Sequence, residues 1–209
     1  MIPITKVYNT VRAEPVGSCI YCGAISELSD EHIVPFALGG RYVLPESSCS
    51  KCAAITSEFE RKVLRGFMLE ARIVGGFPTR SRGKRPKSLP LEMACDGEFQ
   101  AVELSPDNHP GLLHLPLLAP PGILIGREAG TGVIISGIET IRFGKDPYKL
   151  GREMGKTSIR GSIGLDVTSF ARLLAKIGYS FAVAELGLLP REEIPVLPLI
   201  LGNADDASI

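Results

Sequence analysis

Two cysteine pairs, Cys19-Ile20-Tyr21-Cys22 and Cys49-Ser50-Lys51-Cys52, constrain the N-terminal third of this chain more than any other feature. Each C-x2-C pair forms a tight knuckle that presents two sulfurs to one ion, and four thiolates suit tetrahedral zinc. Metal binding then supplies folding free energy that a small hairpin-and-helix module lacks by itself. With sulfur in all four positions such a zinc has no open coordination site, so its role is structural. Close cysteine pairs of this kind fit metal binding in a reducing compartment better than a disulfide framework. The fifth cysteine, Cys95, has no sequence partner and reads as an inert buried thiol.

At 209 residues the chain can bury a real core as one domain or two small ones. Its formal net charge is zero, so no global basic field announces a nucleic-acid partner, and local patches must do any such work. The start lacks the apolar core and cleavage site of a secretory signal. The most apolar stretch, Gly111 to Ile125, is interrupted by Pro116, Pro120 and Pro121 and falls short of a membrane helix. These features predict a cytoplasmic protein with no membrane partner.

The expected architecture is α+β, in three parts. Residues 1–75 hold the cysteine module and a helix, and residues 76–90 form a basic linker punctuated by proline and glycine. Residues 91–209 form a small α/β region of short strands and one long helix. In the first part, Ile33 to Phe36 reads as a strand, Gly39-Gly40 as a turn and Tyr42 to Leu44 as the return strand, ended by Pro45. A helix follows the second cysteine pair, with Ile55, Phe59, Val63 and Phe67 on its apolar stripe and Ala53, Ser57 and Glu60 on another face. In the last part, Val133 to Ile135 and Ile138 to Phe143 have strand composition. Asp166 or Thr168 caps a helix running to about Leu186, with Phe170, Leu173, Leu174, Ile177 and Phe181 buried. The tail from Asn203 is expected to fray.

Between the cysteine pairs lies Asp30-Glu31-His32-Ile33-Val34-Pro35. A histidine can serve as a base near neutral pH, and an adjacent carboxylate can ligate a hard divalent ion. Alone, such a run is weak evidence and is usually a surface hydrogen bonder. Cys19-x2-Cys22-Gly23, Asp30-Glu31-His32-Ile33-Val34-Pro35, Gly39-Gly40 and Cys49-x2-Cys52 together resemble the HNH endonuclease family, in its four-cysteine zinc subgroup. The resemblance covers about residues 17–65. It implies a ββα-metal fold with His32 as general base, Glu31 as a ligand of a catalytic Mg2+ or Mn2+, and Cys19, Cys22, Cys49 and Cys52 on the structural Zn2+.

The chain also departs from that family. The residue after the last cysteine is usually an asparagine or histidine that binds the metal, and here it is Ala53. The family's asparagine in the loop before the second pair is absent from Leu44-Pro45-Glu46-Ser47-Ser48. Ser57 or Glu60, one and two turns further along the helix, could substitute. Glu60 is the better ligand chemically, and equally it could be a solvated helix carboxylate.

The linker carries Arg80, Arg82, Lys84, Arg85 and Lys87, a run that can track a phosphate backbone or merely solvate a flexible connection. Arg61, Lys62 and Arg65 could extend the same patch. Gly151 to Thr157 superficially resembles a phosphate-binding loop but has three residues between its glycines where four are needed. His109 and His114, in a proline-rich stretch without acids or cysteines nearby, receive no role. The preferred reading is a metal-dependent endonuclease acting on double-stranded DNA, with a second copy of the chain as a candidate partner. The alternative is a catalytically inactive zinc module that binds nucleic acid or protein.

Overall fold

The computed structural model describes residues 9–203 apart from 81, 96, 121–124, 127–132 and 162–163. The side chains of Arg82 and Cys95 and the tail from residue 204 lie outside the described part, and with them the expectations placed there. The first sheet is built on β3 (Tyr42–Cys49), which pairs antiparallel with β2 (Leu28–His32) and parallel with the two-residue β1 (Val11–Arg12). The α-helix α1 (Ser50–Arg65) leaves β3 directly at Cys49, and α2 (Leu69–Val74) follows it.

The strand expected at Ile33 to Phe36 lies earlier, because β2 ends at His32 and Phe36–Leu38 forms a 3-10 turn. Pro35 fixes its own φ and cannot donate to a ladder, so pairing stops ahead of it. Asp30, Glu31 and His32 consequently belong to the strand itself. The glycine turn is as expected, and Gly40 is needed there because a Cβ would fall 1.8 Å from the Val34 carbonyl oxygen. The return strand runs through Pro45 to Cys49. The β2–β3 register shifts between Ser29 and Glu31, opposite Pro45, so the missing N–H costs no regular ladder bond.

Downstream, β4 (Leu89–Cys95) pairs with β5 (Glu98–Leu104) and with β8 (Ser158–Arg160), both antiparallel. Leu91, Met93 and Leu104 pack there against Leu150 of α3 (Pro147–Glu153), forming a small separate core. The two strands expected between Val133 and Phe143 are one, β7 (Ile135–Arg142), antiparallel to β6 (Leu112–Leu118). His109 and His114 act locally: Gly111 N donates to His109 Nδ1 at 3.0 Å, and His114 Nδ1 meets Thr140 Oγ1 at 2.9 Å.

The last elements are α4 (Val167–Leu186), capped by Asp166 accepting from Ser169 N at 2.9 Å, and α5 (Val196–Leu201). The buried face of α4 is rotated from the expected one. Leu174 and Phe181 are exposed, while Lys176, Tyr179 and Ser180 are buried with Phe170, Leu173 and Val183. The apolar periodicity misled because this face meets polar partners, described below. Residues 1–75 do not close the main core alone: Phe59, Val63 and Phe67 share one hydrophobic cluster with Phe170, Leu173, Val183, Leu197 and Ile200. Phe67 and Phe170 meet edge to face at 5.5 Å, and the Arg172 guanidinium lies 4.8 Å from the Phe59 ring centre. Among the described residues no helix is long and apolar enough to cross a membrane.

Candidate functional site

The four cysteines converge. One sulfur from each of Cys19, Cys22, Cys49 and Cys52 lies within 4.8 Å of all the others, and Cys22 and Cys49 are 3.5 Å apart. Tetrahedral zinc at about 2.3 Å from each sulfur implies sulfur–sulfur edges of about 3.8 Å, so this tetrad fits one ion. The first knuckle closes through Gly23 N to Cys19 O (2.8 Å) and Cys19 N to Ala24 O (2.7 Å). The second sits at the start of α1, where Cys49 is the N-cap. The Cys52 backbone amide at that helix start brings the Cys49 thiol down to about 7, which favours the metal-binding thiolate. Burial pushes the Cys52 and Cys22 thiols up, so an ion would displace their protons. The C-terminal region holds the first knuckle too: Tyr179 OH donates to Ile20 O at 2.7 Å and Arg191 Nη1 to Cys22 O at 2.8 Å.

Beside the tetrad, β2, α1 and the segment around Arg80 line a cleft of about 800 Å3. From β2 come Asp30, Glu31 and His32, and from α1 come Ala53, Thr56, Ser57 and Glu60. Glu31 is buried, and its Oε2 accepts from Tyr21 OH at 3.4 Å. Burial raises the Glu60 carboxyl, against the opposing pull of Lys176. Both carboxylates face one cation, Lys176 Nζ, at 2.8 Å from Glu31 Oε1 and 3.1 Å from Glu60 Oε1. Asp30 points its charge elsewhere, to Arg12 Nη2 at 2.7 Å.

The His32 ring stands with Nε2 3.4 Å from Arg80 Nη2 and meets the Phe36 ring at 6.0 Å between centres. Its Nδ1 is buried and has no partner among the described residues. Burial lowers its pKa first, then the positive charges of Arg80 and Lys176, so the ring is neutral at pH 7. A guanidinium can only donate, so the neutral ring presents the lone pair of Nε2 to Arg80.

Residues 19–67 match the family model of the HNH endonucleases. This segment is an HNH module. The match covers less than a third of the chain and takes in all four cysteines, β2, β3 and α1. No curated protein and no solved structure matches the chain significantly.

The HNH module brings Glu31, His32 and Glu60 into one cleft, with Ala53 and Ser57 on the same wall. Of the basic run, Arg80, Lys84 and Arg85 line the cleft, whereas Lys87 is exposed outside it. Arg85 is committed to the fold: its guanidinium donates to Phe77 O, Arg72 O and Ile73 O at 3.0, 3.0 and 2.7 Å. Arg41 and Arg80 lie over the Phe36 ring at 4.9 and 5.6 Å. Sequence reasoning missed Lys176 and Tyr21. No apolar pattern singles out Lys176, because it shares its buried face with Tyr179 and Ser180 and the apolar stripe of α4 is rotated from that face. The carboxylates of Glu31 and Glu60 are hard oxygen donors of the kind that bind Mg2+ or Mn2+, and the point both face is the one Lys176 Nζ occupies.

Proposed function

We propose that the chain is a metal-dependent endonuclease that hydrolyses phosphodiester bonds in double-stranded DNA. The observation that carries this reading is the meeting of a neutral histidine and two acidic side chains in one cleft beside a four-cysteine site. Glu31 and Glu60 would hold the divalent ion, which when bound offsets charge developing on the phosphate and the leaving oxygen. His32, kept neutral by burial and by Arg80, accepts a proton from water at Nε2 as the water oxygen attacks phosphorus. The bond from phosphorus to the leaving sugar oxygen breaks in the same displacement. Arg80 gains a phosphate oxygen as partner once substrate enters, which frees the Nε2 lone pair it faces. Arg61, Arg65 and Lys84 on the cleft wall supply sequence-independent attraction for the backbone.

A second reading has specific support. Ala53 removes one customary ligand, and Lys176 already neutralises part of the carboxylate pair, as a silent nucleic-acid-binding module would tolerate. Supercoiled plasmid incubated with the zinc-loaded protein and Mg2+ or Mn2+ separates the two. Cleavage that disappears in His32→Ala supports the nuclease. Binding without cleavage, or cleavage that survives the substitution, supports the silent module or an adventitious activity.

A further inference from the structure

Lys176 lies near the middle of α4, far outside the matched segment, and is fully buried at 0% exposure. Its Nζ reaches Glu31 Oε1 at 2.8 Å, Glu60 Oε1 at 3.1 Å, Ile33 O at 3.2 Å and also His32 O. Four oxygens therefore surround a group with three hydrogens to donate. Of the four, the carbonyls of His32 and Ile33 receive aligned hydrogen bonds, whereas both carboxylates meet the ammonium only at ion-pair distance. Glu31 is bound on both oxygens, by Lys176 and by Tyr21. Glu60 is thus the less committed carboxylate, and the trio carries one net negative charge.

We propose that Lys176 is a positioning residue that holds Glu31 and Glu60 converged in the absence of a divalent ion and competes with that ion for them. This rests on the reading that the two carboxylates bind the metal. The lysine also clamps the two carbonyls at the end of β2, so the C-terminal helix fixes the strand that carries His32. An arriving ion recruits Glu60 first, because Glu31 is held by Tyr21 as well as by Lys176, whereas Glu60 Oε1 has the Lys176 ion pair and no hydrogen bond. The ammonium then stays on Glu31 and the carbonyls as a repulsive neighbour that weakens metal affinity.

The test is Mn2+ binding to the full-length zinc-loaded protein, followed by loss of the free-ion electron paramagnetic resonance signal, together with thermal unfolding. Lys176→Met removes the competing charge while keeping most of the volume. It is expected to bind Mn2+ about tenfold or more tightly than the parent. It should also unfold at lower temperature without Mn2+ and recover most of that loss when Mn2+ is added. A simple packing defect would not tighten metal binding. Glu60→Gln leaves Glu31 and Lys176 as a neutral pair, so it should keep the parent's melting temperature and bind Mn2+ about tenfold or more weakly. Folded Lys176→Met with parental or weaker Mn2+ affinity overturns the proposal. If that variant does not fold, Glu60→Gln decides, and parental Mn2+ affinity there overturns it. The nuclease reading fails separately, by a parent that binds Mn2+ at this site and leaves plasmid intact.

Discussion

Leu173→Ala tests whether the HNH module depends on the C-terminal helix. Leu173 is 1% exposed and belongs to the same cluster as Phe59, Val63 and the cysteines. Truncating a buried leucine to alanine costs about 2.7 to 5 kcal/mol, rising with the cavity left behind. Leu173 also borders an apolar groove with Ile177 and Leu115, into which neighbours can relax, so the lower part of that range applies, about 3 kcal/mol. With a urea dependence of about 2 kcal/mol/M, the unfolding midpoint should fall by about 1.5 M. The assay follows helix loss by far-ultraviolet circular dichroism and zinc release by a chromogenic chelator, in the same urea series. Both midpoints should move together, because α4 shares its core with α1 and also holds the first knuckle through Tyr179. A zinc-release midpoint that stays in place while the helix signal shifts refutes the shared core.

His32→Ala should lower cleavage by about a hundredfold or more while leaving DNA affinity nearly unchanged, as gel-shift titration can check. The acid limb of the wild-type pH–rate profile should lie below the ordinary histidine value of about 6.5. The sign follows from burial, Arg80 and Lys176, which disfavour the protonated ring, so the base stays neutral as pH falls to that value and is lost only below it. An acid limb above about 6.5 would contradict that arrangement. Arg85→Ala should destabilise the fold by about 2 kcal/mol or more, by removing a charged donor from three carbonyls. Lys84→Ala should leave the melting temperature alone and reduce the salt slope of DNA binding by about one, as filter binding across salt concentrations can show. Cys52→Ser should abolish stoichiometric zinc, measured by atomic absorption, and lower stability by about 3 kcal/mol or more.

The cysteine spacing and the adjacency of Glu31 and His32 were legible because they are local: knuckles and neighbouring side chains need only near neighbours in the sequence. The start of α1 was legible for the same reason. Element ends were less so where proline acted against the pattern, stopping β2 early at Pro35 but passing within β3 at Pro45, where a register shift accommodates it. The face of α4 was misread because apolar periodicity assumes an apolar partner. Its partners are Glu31, Glu60 and backbone carbonyls, contributed from more than a hundred residues away. No local pattern could report that pairing.

That buried trio also bears on what the cleft is for. Replacing buried ion pairs by well-packed apolar residues is often neutral or stabilising, so Glu31, Glu60 and Lys176 are poorly explained as a device for stability. Burial alone already raises the Glu60 carboxyl, a sign that its charged form is held at some cost even with Lys176 beside it. The surrounding cluster is apolar and could have been continued through these positions. Instead the charges sit on the wall of the cleft that holds His32. Ala53 removes a ligand at the first turn of α1, yet Glu60, two turns further along that helix, presents a carboxylate to the point Glu31 also faces. On the proposed nuclease reading, this costly acidic pair beside His32 is the part of the cleft that takes up the cation.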